Sequence, residues 1–305
     1  MKDRSPRNKT LQLTEKQYQD FKQELLHVNT QHSVDSLTNQ VINGDLLEVV
    51  DFLPSNFVDL LILDPPYNLT KDFNGAKFGK RSNDEYMSYL ESWFPKLLRL
   101  LKPHASIYLC GDWRCSIAEY LIMDKYLNVR NRIIWQREKG RGASNNWKNC
   151  CEDIWFGTLD NDYTFNVDAV KLKRRVLASY RENGLPKDWQ ESEDGKYRLT
   201  YPSNFWDDIS IPFWSMPENT EHPTQKPEKL LAKLILASSN KGDFVFDPFL
   251  GSGTTAVVAK KLGRNYLGIE QNEEYCCWAQ ARLHRAEINK TIQGYIDNMF
   301  LDRNF

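Results

Sequence analysis

Short apolar runs alternate with amphipathic segments along most of the chain. The runs predict strands at 41–45, 58–63, 105–110, 129–136, 150–156, 244–246 and 266–269. Apolar residues at helical spacing predict helices at 46–53, 84–101, 115–125, 227–239, 254–262 and 273–288. Strands that alternate with helices are typical of a doubly wound, largely parallel sheet, so the pattern indicates the α/β class.

The pattern divides the chain into four parts. Residues 1–36 are polar with one helical stretch, and we interpret them as an N-terminal extension. The alternating pattern occupies 37–157, weakens over 158–221 and resumes over 222–305. The segment 158–221 carries basic residues, scattered aromatic residues and prolines, which indicates an inserted module with a separate task.

Composition limits the classes of function that the chain can have. Its 305 residues include 40 Lys and Arg and 41 Asp and Glu, so any contact with nucleic acid requires a local basic face. The six cysteines include two adjacent pairs and no Cys-x-x-Cys, which favours reduced thiols over a zinc site or a disulfide framework. We expect a cytoplasmic protein, because no signal peptide and no membrane-spanning run is evident.

The apolar run at 58–63 ends abruptly in Asp64-Pro65-Pro66-Tyr67. Proline cannot donate to a sheet ladder, so the two prolines stop the strand and stiffen the turn that follows. An acid and an aromatic ring are therefore expected at the carboxyl end of a strand, where open α/β sheets place their ligands. An ordinary strand followed by a loop is the simpler interpretation of this stretch taken alone.

A second strand end carries glycines. Residues 244–256 predict a strand, a turn with Gly251 and Gly253, and the start of a helix whose free N–H groups suit an anion. Gly251-x-Gly253-x-x-Ala256 also satisfies the dinucleotide fingerprint, so a nicotinamide-dependent oxidoreductase is a rival hypothesis. Asp247 favours a ligand with a positive group, such as the amino acid part of S-adenosylmethionine, because a carboxylate would repel a pyrophosphate.

Four stretches together resemble the DNA amino-methyltransferases: Asp64-Pro-Pro-Tyr67, His222-Pro-Thr-Gln-Lys-Pro227, the glycine turn after Asp247, and Glu270. Their order along the chain is similar to that of the β class of this family, whose members methylate adenine N6 or cytosine N4. The resemblance implies a circularly permuted, Rossmann-like methyltransferase fold. It also implies a mixed sheet of seven strands, with the last pair antiparallel, and a target-recognition region at 158–221. The parts before and after that region, 37–157 and 222–305, would be the catalytic and cofactor-binding halves.

The resemblance assigns roles to individual residues. Asp64 and the carbonyl of Pro65 would accept hydrogen bonds from the target amine, Pro66 would stiffen the turn, and Tyr67 would stack on a flipped base. The implied set of S-adenosylmethionine-binding residues comprises Asp45, Asp64, Thr224, Lys226, Asp247, Phe249, Gly251, Ser252, Gly253, Thr254 and Glu270. Direct methyl transfer needs no metal, and the sequence shows no metal-binding His/Cys spacing.

Several basic residues are candidates for contacts with DNA. They are Lys71, Lys77, Arg137, Arg141, Lys171, Lys173, Arg174 and Arg175. A solvated charged surface, helical around 171–175, is the competing interpretation of each of them.

The resemblance implies a site-specific adenine-N6 methyltransferase of double-stranded DNA, because Asp rather than Ser heads the motif at 64–67, as is commoner in the adenine-N6 members. Cytosine-N4 methylation remains an alternative, and a nicotinamide-dependent oxidoreductase or a non-catalytic DNA-binding protein are more remote ones. A restriction-modification system with a paired endonuclease is the expected setting. A homodimer is a further possibility.

Overall fold

The computed structural model describes residues 5–73, 76–137, 144–177, 180–193 and 195–303, with the backbone alone at 72, 73, 76 and 77. Its helices are α1 Glu15–Gln23, α2 Val34–Leu37, α3 Leu46–Val49, α4 Asn83–Leu98, α5 Ser116–Tyr126, α6 Glu228–Ser238, α7 Thr254–Lys261 and α8 Glu273–Ile288, with 3-10 turns at Val50–Phe52 and Val167–Val170. None of these helices combines the length and the apolar character that crossing a bilayer requires.

The strands are short and numerous. They are β1 Gln40–Asn43, β2 Val58–Leu63, β3 Lys71–Phe73, β4 Ala76–Phe78, β5 Leu101–Gly111, β6 Asn128–Gln136, β7 Cys151–Thr158, β8 Leu172–Arg175, β9 Arg181–Glu182, β10 Leu185–Pro186, β11 Gln190–Ser192, β12 Gly195–Thr200, β13 Phe205–Trp206, β14 Phe244–Asp247, β15 Asn265–Glu270, β16 Tyr295–Ile296 and β17 Met299–Leu301.

The central sheet has the strand order β1-β15-β14-β2-β5-β7-β6-β13. The first five strands are parallel, whereas β7 runs antiparallel to both β5 and β6. The predicted α/β fold with a mixed sheet is therefore confirmed. The described chain adds an eighth strand to the seven expected, because β13 from the inserted segment pairs in parallel with β6.

Helices cover both faces of this sheet, so most residues of its inner strands are apolar. All six residues of β2 are buried. Leu60 and Ile62 belong to the core under α6, α7 and α8, whereas Leu61 and Leu63 belong to the core under α4 and α5. Such two-sided burial explains why the strand appears in the sequence as an almost continuous apolar run.

The inserted segment forms a second sheet together with the end of the chain. Its order is β11-β12-β8-β17-β16. Strands β16 and β17 thus leave 222–305, the expected cofactor-binding half, and join the segment that we expected to end at residue 221. The N-terminal extension is likewise packed rather than detached, because Tyr18 of α1 donates a 2.7 Å hydrogen bond to Glu273 of α8.

The sequence interpretation of 171–175 as an exposed basic face, or as a solvated helix, is wrong in part. Residues 172–175 form the strand β8, and Lys173 is buried, with its ammonium 4.5 Å from the ring centroid of Tyr197. Lys171 pairs with Asp168 at 2.6 Å, and among the four basic residues at 171–175 only Arg175 is exposed.

Asp208 anchors the inserted segment to α6. Its buried carboxylate lies 2.7 Å from the ammonium of Lys229 and 2.8 Å from that of Lys233, both on α6. Burial raises the pKa of this carboxyl, and the two ammonium groups more than offset that effect, so the net pKa is lowered. All eleven residues of α6 are buried, because the sheet lies on one side and the insertion on the other.

Asp208→Asn should therefore lower the free energy of unfolding by about 3–5 kcal/mol, because it leaves two buried ammonium groups without their carboxylate. Urea unfolding at pH 7 measures the loss. Asp207→Asn, which changes the neighbouring and less buried acid, is the matched control. Equal stability of the two variants would contradict the anchoring role.

Candidate active site

The turn Asp64-Pro65-Pro66-Tyr67 follows β2, which lies between β14 and β5 near the middle of the sheet. We call it the catalytic turn after the role that the sequence predicts for it. Asp64 and Tyr67 are partly exposed there. The backbone of the turn is held from the side of α4 and α5, since Tyr86 donates to the carbonyl of Pro66 at 3.2 Å and the Asn68 N–H donates to the Cys115 sulfur at 3.1 Å. A rigid turn of this kind holds an acid in a fixed direction.

The glycine turn joins β14 to α7 and needs both of its glycines. Gly251 has φ +54 and Gly253 has φ +85, which are left-handed conformations that other residues rarely adopt. A Cβ at Gly251 would lie 3.0 Å from Nε2 of His222, and one at Gly253 would lie 2.5 Å from Cβ of Ala279. The turn therefore passes close to both α8 and the segment before α6.

Two acids flank the glycine turn. Asp247 accepts hydrogen bonds from the Thr255 hydroxyl at 2.5 Å and from the Phe249 N–H at 2.9 Å. Burial raises the pKa of Asp247 to about 7. Glu270, at the end of β15, accepts from the Gly251 N–H at 2.9 Å, and burial raises its pKa as well.

One cavity of about 610 Å³ contains both turns. The predicted site residues that line it are Asp64, Pro65, Pro66, Tyr67, Lys71, Arg137, Thr224, Lys226, Asp247, Phe249, Gly251, Ser252, Thr254 and Glu270. The volume falls within the range of about 300–1,000 Å³ that is usual for sites of small molecules and cofactors. Because β14 pairs directly with β2, the two motifs open into the same space.

Two predicted site residues support the cavity from outside its lining. Asp45 is the N-cap of α3, where its carboxylate accepts from the Leu47 N–H at 2.7 Å and also contacts the side-chain amide of Gln271. Its neighbours Gly44 and Leu46 line the cavity instead. Gly253 supports the cavity because its lack of a side chain lets the glycine turn pack against Ala279 of α8.

The structure joins Lys226 to the catalytic turn, which the sequence did not anticipate. Its ammonium lies 2.7 Å from both carboxylate oxygens of Asp64 and 3.0 Å from the hydroxyl of Tyr67. Burial lowers the pKa of Lys226, but the negative charges of Asp64 and Glu152 raise it by a larger amount, so the net pKa is raised. Lys226 is therefore a buried cation held by acids.

Glu152 is the site residue that sequence reasoning missed. It lies near the start of β7, where it accepts from the Tyr67 hydroxyl at 3.0 Å and forms an ion pair with Arg137. An antiparallel strand begins at the edge where its parallel neighbours end, so an acid at the start of the predicted strand 150–156 was the available signal.

Two further observations concern the residues around the cavity. Desolvation and the charge of Lys226 lower the pKa of His222 to about 3, so this imidazole is neutral at physiological pH.

Of the basic residues predicted to contact DNA, Lys71 and Arg137 line the cavity. The side chain of Lys77 and all of Arg141 lie outside the described residues.

Comparison with known proteins gives the same class. A DNA methylase family model matches residues 58–281. The chain is 35% identical over 250 residues to the DNA adenine methyltransferase YhdJ of Escherichia coli strain K12, covering 80% of this chain and 82% of that protein. It is 32% identical over 250 residues to the type II methyltransferase M.HpaI of Haemophilus parainfluenzae, covering 81% and 74%.

Solved structures agree with the fold. The M1.HpyAVI–SAM complex matches with a TM-score of 0.52 at 25% identity, covering 80% of this chain and 99% of that one. The cytosine-N4-specific PvuII DNA methyltransferase matches in fold, with a TM-score of 0.58 at 17% identity, covering 92% and 97%. The fold and the site thus define a DNA-methylating enzyme. The chain belongs to the DNA methylase family, as its motifs predict.

Gly253→Ala should destabilise the protein by more than backbone strain alone, because the new methyl group would meet Ala279 at 2.5 Å. Left-handed strain costs about 1–2 kcal/mol, and forced overpacking adds about 1–3 kcal/mol. Gly184→Ala is the matched control, since Gly184 has φ +79 and no neighbour within 4 Å. Urea unfolding should show a larger loss of unfolding free energy for Gly253→Ala than for Gly184→Ala. Equal losses would argue against the close approach of Gly253 to Ala279.

Proposed function

We propose that this chain methylates the N6 amino group of adenine in double-stranded DNA, with S-adenosylmethionine as the methyl donor. The observation that carries the proposal is the single cavity shared by the catalytic turn and the glycine turn. The adenine assignment is supported by Asp64 at the head of the motif and by the similarity to a protein named as a DNA adenine methyltransferase. The Asp-headed motif weighs against the cytosine-N4 alternative.

The cofactor is S-adenosylmethionine, and the residues around the glycine turn suit it. Asp247 can meet the ammonium group, and the N-terminus of α7 with its free N–H groups can meet the carboxylate. The Glu270 carboxylate accepts one backbone N–H at each oxygen, from Gly251 and Asn272. Because a carboxylate has about four acceptor positions, it keeps room for ribose hydroxyls. When bound, the cofactor supplies an electrophilic methyl group on sulfur.

The catalytic turn is suited to activating an amine. The exocyclic nitrogen of adenine is a poor nucleophile, because its lone pair is delocalised into the ring. We assign to Asp64 and the Pro65 carbonyl the role of accepting hydrogen bonds from its two N–H groups, which directs the lone pair toward the methyl group. Fixed acceptors of this kind stabilise developing charge without reorganising.

The target base has to leave the duplex to reach Asp64. Extruding it costs a few kcal/mol, and stacking on Tyr67 returns about 1–3 kcal/mol. We assign Lys71 and Arg137, which line the cavity, to the backbone of the flipped nucleotide. Residues 158–221, together with β16 and β17, form the proposed target-recognition region, with Arg175 as its exposed cation at β8.

The biological setting also belongs to this proposal. Similarity to M.HpaI, a type II methyltransferase, supports a restriction-modification system with a paired endonuclease. The DNA substrate implies action in the cytoplasm. Association into a homodimer is compatible with this activity and is tested by the mass of the protein in solution.

Asp64→Ala should abolish methylation while the dissociation constant for S-adenosylmethionine changes by less than about threefold, since Asp64 acts on the base. Purified chain is incubated with DNA and labelled cofactor, and the digested nucleosides are identified by mass. Wild-type protein should yield N6-methyladenine. Asp51→Asn, which changes an exposed acid outside the cavity, is the control and should retain activity per folded molecule. Finding N4-methylcytosine would overturn the base assignment, and activity in Asp64→Ala would overturn the role of Asp64.

Cofactor affinity should rise with pH on the acid side of neutrality. Burial raises the pKa of Asp247 to about 7, so below that pH the free protein holds a neutral acid that must lose its proton to pair with an ammonium group. Titration calorimetry between about pH 5.5 and about pH 7.5 should show affinity rising on the order of tenfold.

Asp247→Asn is the control for this pH dependence. The variant should bind S-adenosylmethionine weakly, and its affinity should rise much less with pH. Any rise in affinity that persists belongs to Glu270. A rise of equal size in the variant would contradict the pairing of Asp247 with the ammonium group.

A further inference from the structure

Glu152 lies at the centre of a buried charge cluster behind the catalytic turn. It is 4% exposed. One of its oxygens faces Arg137, and the other lies 3.0 Å from the Tyr67 hydroxyl and 3.4 Å from the Lys226 ammonium. Burial raises the pKa of Glu152, and the two cations more than offset that effect, so its pKa is lowered. Glu152 is therefore an ionised acid within reach of the lysine that binds Asp64.

The contact between Lys226 and Asp64 conflicts with the proposed chemistry. The ammonium lies 2.7 Å from both oxygens of Asp64, so it neutralises the carboxylate that has to accept the hydrogens of the target amine. A neutralised carboxylate attracts those hydrogens more weakly. Lys226 and the Tyr67 hydroxyl occupy up to three of the roughly four acceptor positions of Asp64. Release of one oxygen by Lys226 therefore makes Asp64 a stronger acceptor for the target amine, and a buried ammonium needs another acceptor when it moves.

Glu152 is placed to be that acceptor. Its oxygen is 3.4 Å from the Lys226 ammonium, and a charge-assisted hydrogen bond is formed at about 2.7–2.9 Å, so a shift of well under 1 Å completes it. Direct ion pairs join two acids, Asp64 and Glu152, to two cations, Lys226 and Arg137, so these four charges balance. The shift leaves that balance unchanged, because the lysine stays inside the cluster.

We propose that Glu152 is a positioning residue that receives Lys226 when the target base arrives, and thereby frees Asp64 for the target amine. The inference rests on the proposed function. Glu152 touches neither the base nor the cofactor in this account and acts through Lys226. A static ion-pair network that only stabilises the fold is the alternative, and it predicts no selective effect on the methyl-transfer step.

Tyr67 contacts both of the acids between which Lys226 would move, Asp64 and Glu152. Its single hydroxyl proton lies within reach of both acids, 3.1 Å from Asp64 and 3.0 Å from Glu152, while Lys226 donates to the same oxygen at 3.0 Å. With Lys226 on Asp64, the hydroxyl donates to Glu152. After the lysine moves, the hydroxyl can turn to Asp64, and the ring keeps its position for stacking.

The test compares Glu152→Gln with wild type under single-turnover conditions, with DNA and S-adenosylmethionine both saturating. The variant keeps the side-chain volume and an acceptor for Tyr67 but removes the charge that would hold Lys226. We expect the methyl-transfer rate to fall on the order of tenfold to a hundredfold. The dissociation constants of both ligands should change by less than about threefold.

Asp153→Asn is the matched control, because Asp153 is the next residue on β7, is equally buried and pairs with Arg132 at 2.8 Å outside the cluster. Its single-turnover rate per folded molecule should match that of wild type. If Asp153→Asn and Glu152→Gln lose rate equally, the effect comes from the stability of β7, and the positioning role is wrong.

We call the proposed movement of Lys226 from Asp64 to Glu152 the handover. A double-mutant cycle separates the handover from a direct role of Glu152 in methyl transfer. In a Lys226→Met background no lysine needs a second acceptor, so Glu152→Gln should then change the rate by less than about twofold. Lys226→Gln replaces Lys226→Met if the latter does not fold. An equal loss in both backgrounds would overturn the handover.

The wild-type rate tells the two proposals apart. If wild type transfers no methyl group to DNA, the proposed function fails. If wild type is active and Glu152→Gln matches it, the handover alone fails.

Discussion

The direct pairing of β14 with β2 is the constraint on which the site depends. The two strands are distant in the chain, but they are parallel neighbours, so their carboxyl ends open at the same edge of the sheet. One strand ends in the rigid turn that carries Asp64, and the other ends in the glycine turn after Asp247. A doubly wound sheet places its ligands at this edge, so its topology brings the acceptor for the amine and the site for the methyl donor together.

Electrostatics then determine what each turn can do. Around Asp64, two acids and two cations share a buried region, so each charge has a partner and the cluster can rearrange without a change in net charge. Around Asp247 there is a buried acid with a raised pKa and no ion pair among its described contacts, which suits a ligand that brings its own positive group. The two ends of one cavity therefore have different electrostatic tasks.

Much of this arrangement was predictable from the sequence. The strands β2, β14 and β15 were predicted because buried strands need apolar residues on both faces, and the turns were predicted because prolines and glycines restrict the backbone in known ways. The resemblance of the motifs gave the fold, which the comparisons confirm.

The remaining features depend on tertiary contacts that no local pattern reports. The partner of Lys226 is 162 residues away, and its direction depends on how α6 is set against the sheet. Glu152 lies near the start of the predicted strand 150–156, but its contact with Tyr67, 85 residues away, is not visible in that pattern. Lys173 is buried because the end of the chain returns as β17 to pair with β8, which a charge count over 171–175 cannot reveal.

The most direct test is a crystal structure of the chain with target DNA and a cofactor analogue that carries an amine in place of the methyl-bearing sulfonium. The account predicts a flipped adenine whose N6 lies within hydrogen-bonding distance of Asp64 and about 3–3.5 Å from the position of the transferred group. A cofactor held at the glycine turn with its reactive end turned away from Asp64, or a base bound outside the cavity, would contradict it.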